Sequence, residues 1–397
     1  MNEFEEAISK KQEKEESFIT LFLAGDVMTG RGIDQILPYP GDPTIHEPYL
    51  KSAKKYVEIA EEANGPIAAP VGFPYIWGDA LAELVRAAPD VRIINLETSI
   101  TGSNDYWEDK EIHYRMNPKN IACLTAAKID FCSLANNHIL DWGYSGLTEA
   151  LETLRKAKVK FAGAGRNLEE AGAPAVMEVH GKGRVILFSF GAGSSGIPLE
   201  WGALENKAGV NLLPDLSLQT IQSIKEWIRA VKRERDIVVA SIHWGRNWGY
   251  EVSPEQVSFA HELIEEAGVD LIHGDSSHHV KGIEVYRGKL ILYGCGDFLN
   301  DYEGISGYES YRSDLTLMYF VRLDSSTGKL AQLWMSPMQI KNFRLNRASE
   351  ADALWLKEVL NREGKKFGTR VRWDEEGALR LKGRENTAPL PEIEKTL

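Results

Sequence analysis

Short apolar runs alternate with amphipathic stretches along this chain. FITLFLA (18–24), VRIINLE (91–97), FCSLA (131–135), RVILFSF (184–190), DIVVASIHW (236–244), DLIHG (270–274), KLILYGCGDF (289–298) and LTLMYFVRL (315–323) have strand length and β-branched or aromatic content, which predicts strands. DALAELVRAA (79–88), GLTEALETLRKAK (146–158), LSLQTIQSIKEWIRAVKRE (216–234) and PEQVSFAHELIEEAG (254–268) carry the 3.6-residue period and predict helices. The alternation reads as βα units around a buried sheet, and the later strand-after-strand runs add an antiparallel part. The expected class is α/β, with a mixed sheet or two packed sheets.

Three segments fall outside this rhythm. Residues 1–17 are charged with both signs. Residues 37–77 are proline-rich around one short helical stretch and read as an insertion over one end of the sheet, a lid or substrate wall within a domain spanning 18–345. Residues 346–397 hold a helix pattern, SEADALWLKEVLNREG, and then a hairpin around Glu375-Glu376-Gly377, expected to be a small appendage.

Composition narrows the partners. The 46 Lys and Arg are dispersed among 58 Asp and Glu, for a net charge of −12, so no basic footprint for nucleic acid exists. Cys123, Cys132 and Cys295 lack metal or redox spacing and sit in apolar surroundings, as expected of reduced thiols in a cytoplasmic protein. The run FITLFLA is too short for a signal-peptide core or a membrane span. Oligomeric state is not legible here.

The chemistry-bearing residues follow the strands. Asp26, Glu97, Asn136-Asn137-His138 with Asp141, His243, and then Asp275, His278 and His279 stand at five successive strand ends. A parallel sheet gathers such ends on one edge, where open α/β folds place their sites. Mixed nitrogen and carboxylate donors suit one or two divalent ions of Mn, Fe or Zn. The bland alternatives are a helix cap for Asp26 and a turn for the asparagine pair. His261 and His273 read as structural. Adjacent His278 and His279 point opposite ways, so only one faces a site. Trp142, Trp244 and Trp248 are candidate cleft walls or core, and Arg31 and Arg246 are candidate anion partners.

GDVMTGR, NLETSIT, LANNHILDWG, IHWGRNWGYE and GIEVYRGKLILYGCGDF, in this order, resemble the capsule-synthesis CapA (poly-γ-glutamate biosynthesis) family, a branch of the calcineurin-like metallophosphoesterases. The resemblance covers residues 18–345 and implies a four-layer α/β/β/α sandwich with a metal site at the strand ends. It implies Asp26 and His278 as ligands of a first ion, Glu97 as the bridge, and Asn137 and His243 as ligands of a second. It makes His138 an acid-base or phosphate-contacting histidine, with Asp141 placed to orient it. The chain departs from the family pattern at three places. Met28 replaces the histidine of Asp-x-His and leaves the first site short of a ligand, Asp275 replaces the histidine of Gly-His and becomes a candidate ligand of the second, and Asp297 turns GNF into GDF.

Three activities are consistent with these residues. One is a metal-dependent hydrolase of a phosphoester, poly-γ-glutamate or other peptide substrate, with His138 protonating the leaving group. Another is a peptide epimerase, with Asp26 and His278 on opposite sides of an α-carbon. The third is a non-catalytic polymer- or peptide-binding protein.

Overall fold

The computed structural model describes residues 17–382. Residues 1–16 of the charged leading segment and 383–397 of the trailing one lie outside the described residues. Two sheets face each other. The first runs, in spatial order, Val371–Trp373, Leu379–Leu381, Leu330–Ile340, Leu315–Asp324, Phe18–Val27, Val91–Leu96, Phe131–Ser133, Lys160–Ala162, with Asp297–Leu299 alongside Phe18–Val27. The second runs Leu212–Leu213, Gly183–Ala192, Ile237–His243, Leu271–Asp275, Lys289–Leu292, Ile283–Tyr286.

Alternation along the central strands builds three apolar layers. Leu21, Leu23, Ile93 and Phe131 point between the sheets and meet Leu187, Val239 and Leu271. Phe22, Ile94 and Cys132 point the other way and pack with Leu84, Leu147 and Leu151 of helices Ala80–Ala87 and Gly143–Lys156. Ile186, Val238 and Ile272 pack outward against Ile221, Ile224 and Leu263 of helices Leu218–Val231 and Pro254–Glu265. The chain is thus a four-layer α/β/β/α sandwich. Strands buried on both faces explain why the central runs read as continuous apolar stretches.

The two unusual segments are built into this body. Helix Lys54–Asn64 of the insertion buries Tyr56 and Ala60 in the outer layer of the first sheet. The hairpin around Gly377 forms, and its Leu379–Leu381 strand pairs with Leu330–Ile340 through Trp334↔Arg380 and Met335↔Leu379. Helix Glu350–Gly364 places Leu356 and Leu360 in the inter-sheet core, so residues 346–382 extend the sandwich. Among the described residues no helix is long and apolar enough to cross a membrane.

The strands that position the site are β1 (Phe18–Val27), β2 (Val91–Leu96), β3 (Phe131–Ser133), β4 (Ile237–His243), β5 (Leu271–Asp275) and β6 (Asp297–Leu299). Within their sheets, β1, β2 and β3 are parallel, as are β4 and β5, and β6 joins β1 in the same sense. Register then sets Asp26 beside Asn95 and Asp297, and His243 beside Asp275. The sheets are tied together at this edge, where His273 Nε2 donates to Ala24 O (3.0 Å) and Ser133 Oγ meets Ser189 Oγ (2.7 Å). Gly25 is required there, because a Cβ would lie 1.9 Å from Gly296 O.

The inter-sheet layer carries the stability. Leu187→Ala, at a fully buried position, is expected to lower unfolding free energy by about 2–5 kcal/mol. Leu199→Ala, at a residue 77% exposed, is expected to change it by less than about 0.5 kcal/mol. Urea unfolding of both variants checks this, and equal small effects would contradict the layer assignment.

Candidate metal centre

Polar residues from both sheets converge at the shared edge. Asp26 Oδ1 accepts from Asn95 Nδ2 (2.7 Å), while Asp26 Oδ2 is buried without a hydrogen-bond partner. Asn95 Nδ2 also approaches Glu97 Oε2 (3.3 Å). Glu97 Oε1 lies 3.6 Å from His138 Nε2 and 3.9 Å from His243 Nε2. His243 Nε2 is 3.0 Å from Asn137 Oδ1, and its Nδ1 is 2.6 Å from Asp275 Oδ1. On the other side of Asp26, His278 Nδ1 meets Asp297 Oδ1 (2.7 Å) and Nε2 lies 2.9 Å from Asn247 Nδ2. Two clusters result, Asp26–His243–Asp275 and Asp26–His278–Asp297, each with ligand atoms within 4.8 Å of one another and with Asp26 in common.

Burial governs the electrostatics. Desolvation raises Asp26 and Asp275 to about 6 and pushes Glu97 well up, with the charge of Asp26 adding to the effect on Glu97. The same desolvation lowers His243 to about 4 and takes His138 well below its ordinary range, with Lys110 the next cause for His138. His278 moves up instead: burial is the largest single influence and lowers it, but the charge and hydrogen bond of Asp297 together with the charge of Asp26 outweigh it. These donors fit a divalent cation. Asp26, common to both clusters, keeps one buried oxygen without a partner, and with the His243 Nδ1 proton directed to Asp275, Nε2 and Asn137 Oδ1 face each other as two acceptors.

Beside this group stands the His138–Asp141 pair. His138 Nδ1 is 2.7 Å from Asp141 Oδ2, which also accepts from Tyr114 N (2.6 Å). Lys110, from the loop before Tyr114, places its ammonium against Asn137 O, Asp141 Oδ1 and His138 Nδ1. A cavity of about 340 Å³ lined by Trp248, Asn300, Tyr302 and Tyr308 adjoins the centre. Asn300 donates to Asp297 Oδ2 (2.8 Å) and the Trp248 ring is 5.2 Å from His278.

Of the residues expected from sequence, Asp26, Glu97, Asn137, His138, Asp141, His243, Asp275 and His278 meet at this edge. Four expected substrate contacts do not. Arg31 is buried between Glu47 and Asp301, with Tyr56 and Tyr114 on its faces, so its charge is spent inside the protein. Trp142 is buried beneath Arg115, whose guanidinium lies 3.7 Å from its ring. Trp244 belongs to the outer core of the second sheet, because a residue after β4 alternates away from His243, and its indole donates to Tyr293 O (3.1 Å). His279 has both nitrogens engaged, Nε2 by Gly249 N–H and Nδ1 with Val280 O. Arg246 is exposed in the loop that follows β4.

Residues the sequence reading passed over are Asn95, Lys110, Asn247 and the role of Asp297. Asn95 and Asp297 carried a usable signal, as each stands on a strand beside Asp26. Lys110 sits in a loop with no periodicity to mark it. Met28 is buried and its sulfur accepts from Tyr302 Oη (3.6 Å).

Comparison with known proteins identifies the family. Residues 20–302 match the model of the bacterial capsule synthesis protein family PGA_cap. A probable polyglutamine synthesis accessory protein of Mycobacterium tuberculosis is 47% identical over 354 residues, covering 89% of this chain and 93% of that protein. The capsule biosynthesis protein CapA of Bacillus anthracis is 23% identical, over 82% of this chain and 69% of its own length. Among solved structures, a novel phosphatase from Mycoplasma pneumoniae aligns with a TM-score of 0.45 at 13% identity, over 81% of this chain and 94% of that one. With the family match spanning most of the chain and a relative at nearly half identity along almost its whole length, this chain belongs to the bacterial capsule synthesis (PGA_cap) family.

Proposed function

We propose that this protein is a metal-dependent hydrolase acting on a glutamyl or other peptide bond, or on a phosphoester, of a polymer-forming pathway. The observation that carries the reading is the convergence of buried Asp26, Glu97, His243 and His278, with half-buried Asn137 against His243, at an edge where one Asp26 oxygen has no partner. When bound there, a divalent ion of the Mn, Fe or Zn type supplies Lewis acidity and an easily deprotonated water. Asp26, shared by the two clusters, and Glu97 beside it provide the carboxylates that hold one or two such ions.

The chain's own groups do the rest. His138 Nδ1 lies between Asp141 Oδ2 and Lys110 Nζ; we take its proton to be shared with Asp141, and burial beside Lys110 keeps the imidazole neutral. His138 therefore offers Nε2 as a proton acceptor toward the reacting centre and must take up a proton before it can serve as the donor expected from sequence. Lys110 neutralises Asp141 and fixes the Asn137 carbonyl, so the Asn137 amide keeps its direction. Exposed Arg246 and neighbouring Asn247 stand where a substrate carboxylate or phosphoryl group would approach. Membership in a capsule-synthesis family, with a relative named for polyglutamine synthesis, favours a glutamyl polymer or its peptide precursor. The epimerase reading fits less well, because Asp26 and His278 bring ligand atoms within 4.8 Å of each other and leave little room for an α-carbon between them.

Elemental analysis after dialysis against Mn, Fe or Zn is expected to find bound metal. His243→Ala should lose metal and turnover together, while His138→Ala should keep metal and lose about 10²–10⁴-fold in turnover. A wild-type protein that retains no metal would overturn the proposal. Because Asp26 is raised to about 6, binding must displace protons at mildly acid pH. Mn affinity is expected to fall below pH 6 by about tenfold per pH unit for each proton displaced. Calorimetry at pH 5, 6 and 7 measures this, and a flat profile would contradict ligation through these carboxylates.

A further inference from the structure

The three histidines of the centre share one arrangement. Each has its Nδ1 against an aspartate oxygen, at 2.6 Å for His243 and Asp275, 2.7 Å for His278 and Asp297, and 2.7 Å for His138 and Asp141. Such distances discriminate between two roles. A nitrogen and an oxygen bound to one ion through bonds of about 2.1 Å stand about 3.0 Å apart or more at any angle of 90° or wider. The closer approach observed is that of a charge-assisted hydrogen bond.

From this geometry we infer that Asp275 and Asp297 are positioning residues rather than metal ligands. Each takes the Nδ1 proton of one histidine and leaves the Nε2 lone pair for the ion, an inference that rests on the metal-centre reading above. The Nε2 surroundings agree. His278 Nε2 lies 2.9 Å from the Asn247 side-chain amide, and His243 Nε2 faces Asn137 Oδ1 with Glu97 Oε1 beyond it. Both carboxylates are held from behind, Asp275 Oδ2 by Ser241 Oγ (3.1 Å) and Asp297 Oδ2 by Asn300 Nδ2 (2.8 Å). Strand register places Asp275 opposite His243 across β4 and β5.

This assigns one purpose to two departures from the family pattern. The aspartates of Gly274-Asp275 and Gly296-Asp297-Phe298 each put an ionised acceptor behind a ligating imidazole, which fixes its tautomer and raises its basicity. The protein ligands are then Asp26, Glu97, Asn137, His243 and His278. Neither Met28 nor Asp275 supplies the missing histidine nitrogen, so the chain offers an ion fewer donors than the family pattern does.

The test is long-range ¹H–¹⁵N correlation spectroscopy on histidine-labelled protein, metal-free and then loaded with Zn, alongside Zn titration of wild type, Asp275→Asn and Asp297→Asn. At alkaline pH, above the raised titration of His278, His243 and His278 are expected as neutral Nδ1–H tautomers in the metal-free protein, with Zn shifting Nε2 and leaving Nδ1–H in place. An asparagine Oδ1 still accepts from Nδ1–H, so both variants should keep the wild-type metal stoichiometry with affinity weakened about 10–100-fold. Zn shifts at Nδ1, an Nε2–H tautomer in the wild type, or loss of one metal equivalent in Asp275→Asn equal to that in His243→Ala would overturn the inference. If either variant fails to fold, the wild-type spectra decide alone. Wild-type protein that binds no metal would sink the hydrolase reading, whereas the metal-free tautomers would still decide this one.

Discussion

Everything at the functional edge depends on burying several carboxylates where two sheets close on each other. Asp26, Glu97, Asp275 and Asp297 are all nearly inaccessible to water, and isolated buried carboxylates cost several kcal/mol each unless they are paired or protonated. The protein meets that cost in two ways. Histidines, asparagines and serines donate hydrogen bonds to most of the oxygens, and one oxygen of Asp26 is left without a partner among the described residues.

The fold makes such a concentration possible because its central strands end together. Backbone groups of β1, β2 and β3 are satisfied by their neighbours, which leaves the strand-end side chains free to serve the site. Close approach of the segment before β6 to Gly25, and the His273 bridge to Ala24, lock the two sheets at the depth where Asp26 can meet His243 from one side and His278 from the other. A buried Arg31 held by Glu47 and Asp301 fastens the insertion to the same corner, so that what reads as an anion anchor in sequence is a structural rivet.

Strand ends were the legible part of the sequence, since a short apolar run followed by Asp, Asn or His marks both the element and the residue it delivers. The α/β layering followed from the same runs. Side-chain direction was not legible where a residue lay one step past a strand end: Trp244 faces the outer core although His243 faces the site. Charge pairing was also hidden, because the partners of Arg31 lie 16 and 270 residues away. Lys110 gave no signal, as a loop lysine is ordinarily a solvated charge, and only the closure of its loop brings it against Asp141. The aspartates at 275 and 297 were visible as departures, but their effect on histidine tautomers required distances.

A divalent ion in this seam would be held by the ends of the central strands, with the capsule-synthesis fold arranged around it. Anomalous diffraction at the manganese edge, from crystals grown with Mn²⁺, tests it most directly. The account predicts a peak within bonding distance of Asp26 Oδ2, the atom that has no partner in the protein alone. Full Mn²⁺ in the crystallisation solution with no peak in the seam, and Asp26 Oδ2 instead protonated or bonded to protein, would contradict it.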